Sequence, residues 1–348
     1  LDDGPVVKFV NGEGPNSVIQ GFTISWGEAD YGGGIACDGT SATIADCVIS
    51  NNFAEFYGGG IDCYNGSPTI LNCVVADNWT SAVTGVGGGI NCEEGTPTIA
   101  NCTIERNFAD NVGGGIACYN SDAIIYNCVV ANNHATYGGG GIDLERSAPT
   151  VTNCTIIVDD PLVPKTGGIY AFAESNPTIT NCIIWGNGDD LFQCTATYSC
   201  IEDLDEGEGN IHVEPTFARG PLGDYYLSQT AAGQLADSTC IDMGNPQTDP
   251  ALAIETFTTR TDGVPDSGGI DIGAHYLAIP ARLIELNVTV VDENGAPVDP
   301  NDAHGYVDPN SGTYREYEIV KLRAYPDEGY KLKAWTGTDD DASTDVNN

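Results

Sequence analysis

Short apolar segments and polar turns alternate along the first 190 residues of this chain with a period of 26 to 29 residues. One period reads Gly-Gly-Gly-Ile-x-Cys, a polar turn, then Thr-Ile-x-Asn-Cys-x-Ile and a loop. The apolar pieces are short, rich in β-branched residues and bounded by Gly, Pro, Asn or Ser, which predicts β-strands. A repeat of this length predicts a solenoid. Its reference isoleucines are Ile35, Ile61, Ile90, Ile116, Ile142 and Ile169.

Strand alternation predicts which side chains form the core. Ile61 and Cys63 point to one face of a strand and Asp62 to the other. The Ile/Cys face is predicted to be interior. The residues equivalent to Asp62 are a mixed polar set, which predicts a solvent-facing side. They are Ala36, Asp62, Asn91, Ala117, Asp143 and Tyr170.

Two ladders of turn-forming residues predict corners in each coil. Ile70 and Cys73 are three residues apart, so both point inward only if the chain bends between them. The residue before each cysteine is Asn or Asp, which tolerate the left-handed conformation. These residues are Asp46, Asn72, Asn101, Asn127, Asn153 and Asn181. The second predicted corner has Asn52, Asn78, Asn107, Asn133, Asp159 and Asn187.

Two corners and three strands per coil predict an all-β fold, a single-stranded parallel β-helix of about six to seven coils over residues 1–190. The cysteines occupy two interior columns, which are continued or begun by Leu, Ala or Phe. Such slots require an apolar filler, so we expect buried free thiols rather than disulfides or zinc ligands. One column is Cys37, Cys63, Cys92 and Cys118, and the other is Cys47, Cys73, Cys102, Cys128, Cys154 and Cys182. A disulfide is predicted among the remaining Cys194, Cys200 and Cys240.

The repeat resembles right-handed parallel β-helix proteins of bacterial surfaces, and its GGGI phrase is similar to an element of chlamydial polymorphic outer-membrane proteins. The phrases Cys-Ile-Asp-Met-Gly at 240–244 and Gly-Gly-Ile-Asp-Ile-Gly at 268–273 resemble the segment that closes such helices. This implies a cap over residues 191–279 that covers the last coil. The segment Pro-Asp-Glu-Gly-Tyr-Lys-Leu-Lys-Ala-Trp-Thr-Gly at 326–337 resembles the internalin-B-type B repeat. The resemblance implies a small β module over residues 280–348 that lacks its last strand.

The net charge of the chain argues against some classes of function. The chain has 12 basic and 50 acidic residues, for a formal net charge of −38. Such a surface repels nucleic acid and anionic lipid, so we expect neither nucleic-acid binding nor membrane insertion. The chain begins without Met inside what reads as a coil, which is expected of a processed or incompletely recorded secreted protein.

No constellation of catalytic residues is readable. Asp62 and Asp143 share a face, but two coils lie between them, about 14 Å by strand spacing, which is too far for a glycosidase carboxylate pair. The four cap residues Asp242, Arg260, Asp262 and Asp271 are predicted to make structural ion pairs and turn contacts. We therefore expect no catalytic residue and no cofactor. Calcium is a weak alternative at Asp339, Asp340 and Asp341, where a solvated turn is favoured.

The leading hypothesis is a secreted bacterial cell-surface structural or adhesive protein. It would associate with further copies of itself, head to tail, into an extracellular filament, because both ends of the chain look unfinished. Three alternatives stay open at this stage. The chain could be a carbohydrate-binding or polysaccharide-degrading β-helix protein, a fragment of a larger surface adhesin, or an autotransporter-like passenger.

Overall fold

The computed structural model describes residues 4–81, 83–158, 160, 162–245, 247, 257–266, 268–279, 283–288, 305–308, 311–315 and 323–327. It is an all-β structure whose larger part is a parallel β-solenoid of about seven turns, which confirms the predicted fold class. The described residues contain a single short helix, the 3₁₀ turn Thr230–Ala232. The predicted calcium candidates Asp339, Asp340 and Asp341 lie outside the described residues.

Sheet 1 begins each coil at the reference isoleucine of the repeat. Its eight strands stack in parallel with equivalent repeat positions in register, so Ile61 lies between Ile35 and Ile90. The strands are Val7–Phe9, Ile35–Asp38, Ile61–Tyr64, Ile90–Glu93, Ile116–Tyr119, Ile142–Glu145, Ile169–Phe172 and Leu191–Phe192.

Sheets 2 and 3 follow in each coil and lie on either side of the Asn/Asp corner. Sheet 2 contains Val18–Gln20, Thr43–Ala45, Thr69–Leu71, Thr98–Ala100, Ile124–Tyr126, Thr150–Thr152, Thr178–Thr180 and Ala196–Thr197. Sheet 3 contains Thr23–Ser25, Val48–Ser50, Val74–Ala76, Thr103–Glu105, Val129–Ala131, Thr155–Ile157, Ile183–Trp185 and Cys200–Ile201. The last strand of each sheet extends the stack beyond residue 190, where the sequence places the end of the repeats.

A fourth side closes the coil, where three strands per coil were predicted. Sheet 4 has the five strands Glu28–Tyr31, Phe53–Tyr57, Trp79–Thr80, Phe108–Ala109 and His134–Ala135. The residues that this sheet points inward are small, such as Ala54, Thr80 and Ala109, all fully buried. The coil is therefore narrow along this side, and the glycine triplet that follows each strand lies against neighbouring backbone.

Each of the three glycines of the repeat phrase is required for its own steric reason. Gly58 has a φ of +63°, in the left-handed region that glycine adopts without strain. A Cβ on Gly59 would lie 2.5 Å from the carbonyl oxygen of Gly88, and one on Gly60 would lie 2.6 Å from that of Gly89. Adjacent coils are therefore spaced at backbone contact along this edge.

The first predicted corner adopts the left-handed conformation, with φ between 49° and 56° at its six residues. Their side chains form a chain of amide hydrogen bonds along the surface: Asn72 donates to Asp46 at 3.0 Å and Asn101 donates to Asn72 at 3.2 Å. The six residues are Asp46, Asn72, Asn101, Asn127, Asn153 and Asn181.

The second corner lies one residue earlier than predicted. The left-handed residues there are Asn51, Asp77, Arg106 and Asn132, with φ between 52° and 56°. The asparagines that follow them point inward and are at most 1% exposed. Each donates its side-chain amide to the next coil's asparagine oxygen at 3.0 Å, from Asn52 through Asn78 and Asn107 to Asn133. Burying an amide without partners is costly, so this continuous ladder satisfies the groups that the turn would otherwise leave unpaired.

The cysteine columns lie in the core, as free thiols. All ten ladder cysteines are buried, beside fully buried isoleucines. Several donate weakly to a carbonyl of the preceding coil, as Cys102 Sγ does to Ile70 at 3.6 Å. Cys194, Cys200 and Cys240 are free as well, so the disulfide predicted among them is not formed. Cys200 and Cys240 belong to one small apolar cluster with Leu227 and Ile272.

The segment after the last strands packs against two surfaces of the solenoid. Its first part lies on the final coil, where Ile211 donates to Ser199 and accepts from Ile201 through the backbone. Its later part covers the outer side of sheet 3, where Tyr226 and Tyr276 join a cluster with Val129 and Ile157. The cap was predicted to cover only the end of the stack, so the lateral packing is an addition to that prediction.

The cap and the C-terminal residues also contain antiparallel pairs. Within the cap, Phe217–Gly220 pairs with Gly223–Leu227 and Phe257–Thr258 pairs with Tyr276–Leu277. Near the C-terminus, Leu283–Asn287 pairs with Ser311–Arg315, and Gly305–Asp308 pairs with Arg323–Pro326.

Candidate functional site

A groove of about 790 Å³ lies on the outer face of sheet 1, beside the end of sheet 4. Its floor is formed by the outward-pointing residues of three consecutive strands, Lys8, Ala36 and Asp62, which are paired in register. Because equivalent positions stack about 4.8 Å apart, the floor runs along the solenoid axis. The volume lies within the usual range of ligand-binding clefts.

The rim of the groove comes from the last residue of three consecutive strands of sheet 1, two positions after the floor position of the repeat. Asp38, Tyr64 and Glu93 are paired neighbours in sheet 1 and all line the groove. The column continues outside the groove with Tyr119, whose hydroxyl accepts a hydrogen bond from Arg146 Nη1 at 2.7 Å. Aromatic and acidic side chains therefore alternate along this edge.

The opposite wall is aromatic and comes from sheet 4. Tyr31 and Tyr57 stack with ring centroids 5.7 Å apart and planes 17° from parallel. Tyr31 also contacts Phe56, at 5.8 Å between centroids. Tyr31 is 49% exposed, so the groove has an accessible aromatic surface beside its acidic floor and rim.

Asp62 is the most buried carboxylate of the groove, only 6% exposed. Burial raises the pKa of its carboxyl group to about 7, and nearby Glu93 and Asp38 contribute to the increase. The side-chain amide of Asn91, on the next strand, donates to Asp62 Oδ1 at 2.8 Å and opposes that shift. The prediction that this column faces solvent is wrong at four of its six positions, because the glycine segment before each strand lies against the column. The four buried residues are Asp62, Asn91, Ala117 and Asp143.

Two other groups that line the groove, Tyr57 and Glu93, also have raised pKa values. The pKa of Tyr57 is raised by burial and then by Glu93, Tyr31 and Asp62. The pKa of Glu93 is raised by burial and by Glu94. Groups with perturbed pKa values that converge on one concave surface are typical of ligand-binding sites.

Asp143 has the same kind of environment elsewhere on sheet 1. It is 7% exposed, and burial, followed by Glu145, raises its pKa to about 7. Three strand spacings separate it from Asp62, about 14 Å, and it does not line the groove. The two carboxylates do not form a catalytic pair with each other.

The ladder residues selected from the sequence lie away from the groove, in the corner between sheets 2 and 3 and in the core. Two of them contact the cap directly. Asn127 donates to the carbonyl oxygen of His275 and accepts from the His275 amide, both at 2.6 Å. The Asn181 side chain accepts from the Asn245 amide at 2.7 Å.

The four acidic and basic cap residues make internal contacts. Arg260 Nη2 lies 2.6 Å from Asp262 Oδ2. Asp271 accepts from the backbone amide of Asp242 at 2.8 Å, and Asp242 accepts from that of Gly269 at 2.6 Å. These contacts hold the turns of the cap together.

Within the described parts of the chain, no group of three or more His, Cys, Asp or Glu side chains is arranged to hold a metal ion. No helix among the described residues has the length and apolarity needed to cross a bilayer.

The groove was not found from the sequence, although a signal for part of it was present. The rim position lies three residues after each reference isoleucine and reads Asp38, Tyr64, Glu93, Tyr119 and Glu145. An alternation of acid and aromatic at one repeat position indicates an exposed functional column. Tyr31 and Tyr57 carried no such signal, because they belong to a fourth strand that was not predicted.

The chain belongs to the right-handed β-helix family. The family model described as a right-handed β-helix region matches residues 9–161 and 88–203, more than half of the chain. A second model, a divergent InlB B-repeat domain, matches residues 299–348. Both kinds of domain are typical of surface-associated repeat proteins. Comparison with curated proteins and with solved structures produced no match.

Proposed function

We propose that this chain is a surface-associated adhesive protein that binds a carbohydrate chain in the groove between sheets 1 and 4. The observation that carries the proposal is the convergence of a tyrosine stack, Tyr31 on Tyr57, with the buried carboxylate of Asp62 in one elongated cleft. The two family matches support the surface-associated part of the proposal.

The shape of the cleft favours an extended ligand. Its floor consists of successive rungs of a solenoid, so a polymer can lie along it and contact a new floor residue every 4.8 Å or so. Tyrosine rings offer a rigid apolar face with a polar edge, which suits the mixed apolar and hydroxyl surface of a sugar ring. Carboxylates such as Asp38 and Glu93 accept hydrogen bonds from hydroxyl groups.

A glycan array followed by calorimetry with the selected oligosaccharide tests the proposal. Tyr31→Ala removes an exposed groove ring and should weaken binding about tenfold or more, a typical loss for a central aromatic contact. Tyr137→Ala is the matched control, because Tyr137 is 69% exposed and does not line the groove. It should leave affinity within about twofold of the unaltered protein. Absence of binding to any glycan, or an equal loss in both variants, would refute the proposal.

Polysaccharide degradation is a separate outcome of the same experiment. Incubating the selected glycan with the protein and assaying new reducing or unsaturated ends distinguishes a binding site from an enzyme. We expect neither product.

Filament formation, secretion and a bacterial cell-surface location stay predictions. Electron microscopy of the purified chain across salt and calcium concentrations tests the filament, and monodisperse monomers throughout would contradict it. Fractionation of the producing cells tests the location.

A further inference from the structure

The charge of the groove narrows its ligand further, if the proposed carbohydrate function holds. Four carboxylates line it, those of Asp30, Asp38, Asp62 and Glu93, against the single described base Lys8. A glycan with carboxylate, sulfate or phosphate groups would meet net repulsion in this cleft. A cationic one would find complementary charge.

The position of the carboxylates makes this charge more than a general property of an acidic surface. Asp62 lies at the floor, almost fully buried, with the Asn91 amide as its hydrogen-bond partner among the contacts described. Among the residues that the structure describes, no Lys or Arg lies within salt-bridge distance of it. Burial of a carboxylate without a counter-charge is unfavourable, which is why the pKa of Asp62 is raised to about 7. A ligand cation placed against it would supply the missing charge.

The aromatic wall favours the same chemistry. An ammonium group within about 6 Å of a tyrosine ring is attracted to the ring face. Tyr31, Tyr57 and Tyr64 all line the cleft, opposite or beside the carboxylates. An amine on a sugar ring could therefore contact a carboxylate while the ring itself lies on tyrosine.

We infer that the groove binds a glycan with free amino groups, a polymer of de-N-acetylated hexosamine, in preference to neutral or acidic glycans. The cleft walls of tyrosine and the register of the floor favour a sugar polymer over a cationic polypeptide. The polypeptide is therefore included in the test as a competing outcome.

Calorimetry at about pH 7, where about half of the Asp62 carboxyl groups are ionised and a bound cation would favour the ionised form further, compares four probes of equal length. The probes are glucosamine oligomers, the same oligomers fully N-acetylated, oligogalacturonate and oligolysine. Glucosamine oligomers should bind about tenfold or more tighter than the N-acetylated oligomers, and oligogalacturonate should not bind. Among the glycans, raising the salt concentration to about 0.5 M should weaken only the glucosamine interaction, because charge attraction is screened.

Matched variants test whether the preference for free amino groups depends on the carboxylates of the groove. Asp62→Asn keeps the shape of the floor and should lower glucosamine-oligomer affinity about tenfold, towards that of the N-acetylated oligomers. Asp143→Asn is the control, since Asp143 is an equally buried carboxylate on the same sheet face outside the groove. Glu93→Gln on the rim provides a second test if Asp62→Asn perturbs folding, which circular dichroism would reveal.

The outcomes separate the two proposals. Equal binding of the acetylated and free-amine oligomers would overturn the amine inference and leave carbohydrate binding intact. Binding of oligolysine as tight as that of glucosamine oligomers would overturn it in favour of a cationic polypeptide. Failure of every glycan to bind would overturn the proposed function itself.

Discussion

Asn91 donates its side-chain amide to Oδ1 of Asp62 at 2.8 Å, across two neighbouring strands of sheet 1. The contact gives a buried carboxylate a neutral partner rather than a positive charge. Ionisation of Asp62 is therefore unfavourable in the folded chain, and it lowers the free energy of unfolding at neutral pH.

This cost predicts the pH dependence of stability. The pKa of Asp62 is about 7 in the folded chain against a reference of 3.8, so the folded state retains a proton that the unfolded state releases. The favourable contribution of Asp62 is complete below about pH 3.8 and is lost as the pH rises through 7. Relative to the unaltered protein, Asp62→Asn should therefore gain about 2 to 4 kcal/mol of unfolding free energy between about pH 4 and 8. Urea denaturation at both pH values measures this change.

The Asp143→Asn variant should show a similar trend, because the pKa of Asp143 is also raised to about 7 by burial. Glu55→Gln alters an exposed carboxylate on sheet 4 and should show none. Parallel stability curves for Asp62→Asn and the unaltered protein would contradict the prediction.

Asn78 lies in the middle of the buried amide ladder. It donates to the Ile49 carbonyl and to Asn107, and its oxygen accepts from the backbone and side chain of Asn52. Asn78→Ala leaves those buried partners unsatisfied and should reduce the free energy of unfolding by about 2 to 4 kcal/mol. Denaturant titration measures the loss. Asn72→Gly in the surface ladder should cost less than about 1 kcal/mol, since its φ of 52° suits glycine and its bonds are exposed. Equal losses in the two variants would be unexpected.

Gly59 tests the close approach of adjacent coils. A Cβ there would lie 2.5 Å from the Gly88 carbonyl oxygen and 2.6 Å from that of Trp79, so Gly59→Ala forces backbone apart. We expect a loss of about 2 to 3 kcal/mol, visible as a lower melting temperature. Gly14→Ala is the control, because nothing lies within 4 Å of its Cβ position. A Gly59→Ala protein that melts at the unaltered temperature would show that the coils are not packed as described.

Asn127 joins the solenoid to the cap through two hydrogen bonds with the His275 backbone. Asn127→Ala should weaken this attachment by about 2 kcal/mol and reduce amide-exchange protection around residue 275 roughly 30-fold. Hydrogen exchange followed by mass spectrometry measures it. Asn101→Ala is the control. It places alanine at a similar left-handed position, since φ is 54° at Asn101 and 56° at Asn127, but the Asn101 side chain donates to Asn72 and not to the cap. Similar loss of cap protection in both variants would argue against a specific attachment.

The sequence predicted most of the solenoid because its features repeat. One interior isoleucine or one left-handed asparagine is weak evidence, but six copies at a fixed period leave few alternatives. The predictions from sequence were wrong where the repeat pattern was weak. Sheet 4 was missed because it contributes only two residues in three of its five strands. The second corner was placed one residue late because Asn78 and its equivalents are the more regular column.

The periodic sequence by itself therefore determined the strands of sheets 1 to 3, the interior columns of cysteine and isoleucine, and the first corner. Each of these follows from backbone preference and side-chain alternation, which act over a few residues. Only the tertiary structure decided which outer residues form a site. Lys8, Tyr31, Asp62 and Glu93 are far apart in the chain and meet because four strands of sheet 1 and the adjoining sheet 4 bring them to one cleft. Burial and electrostatic environment depend on every group within a few ångströms. The residues next to Asp62 in the sequence do not reveal which groups these are.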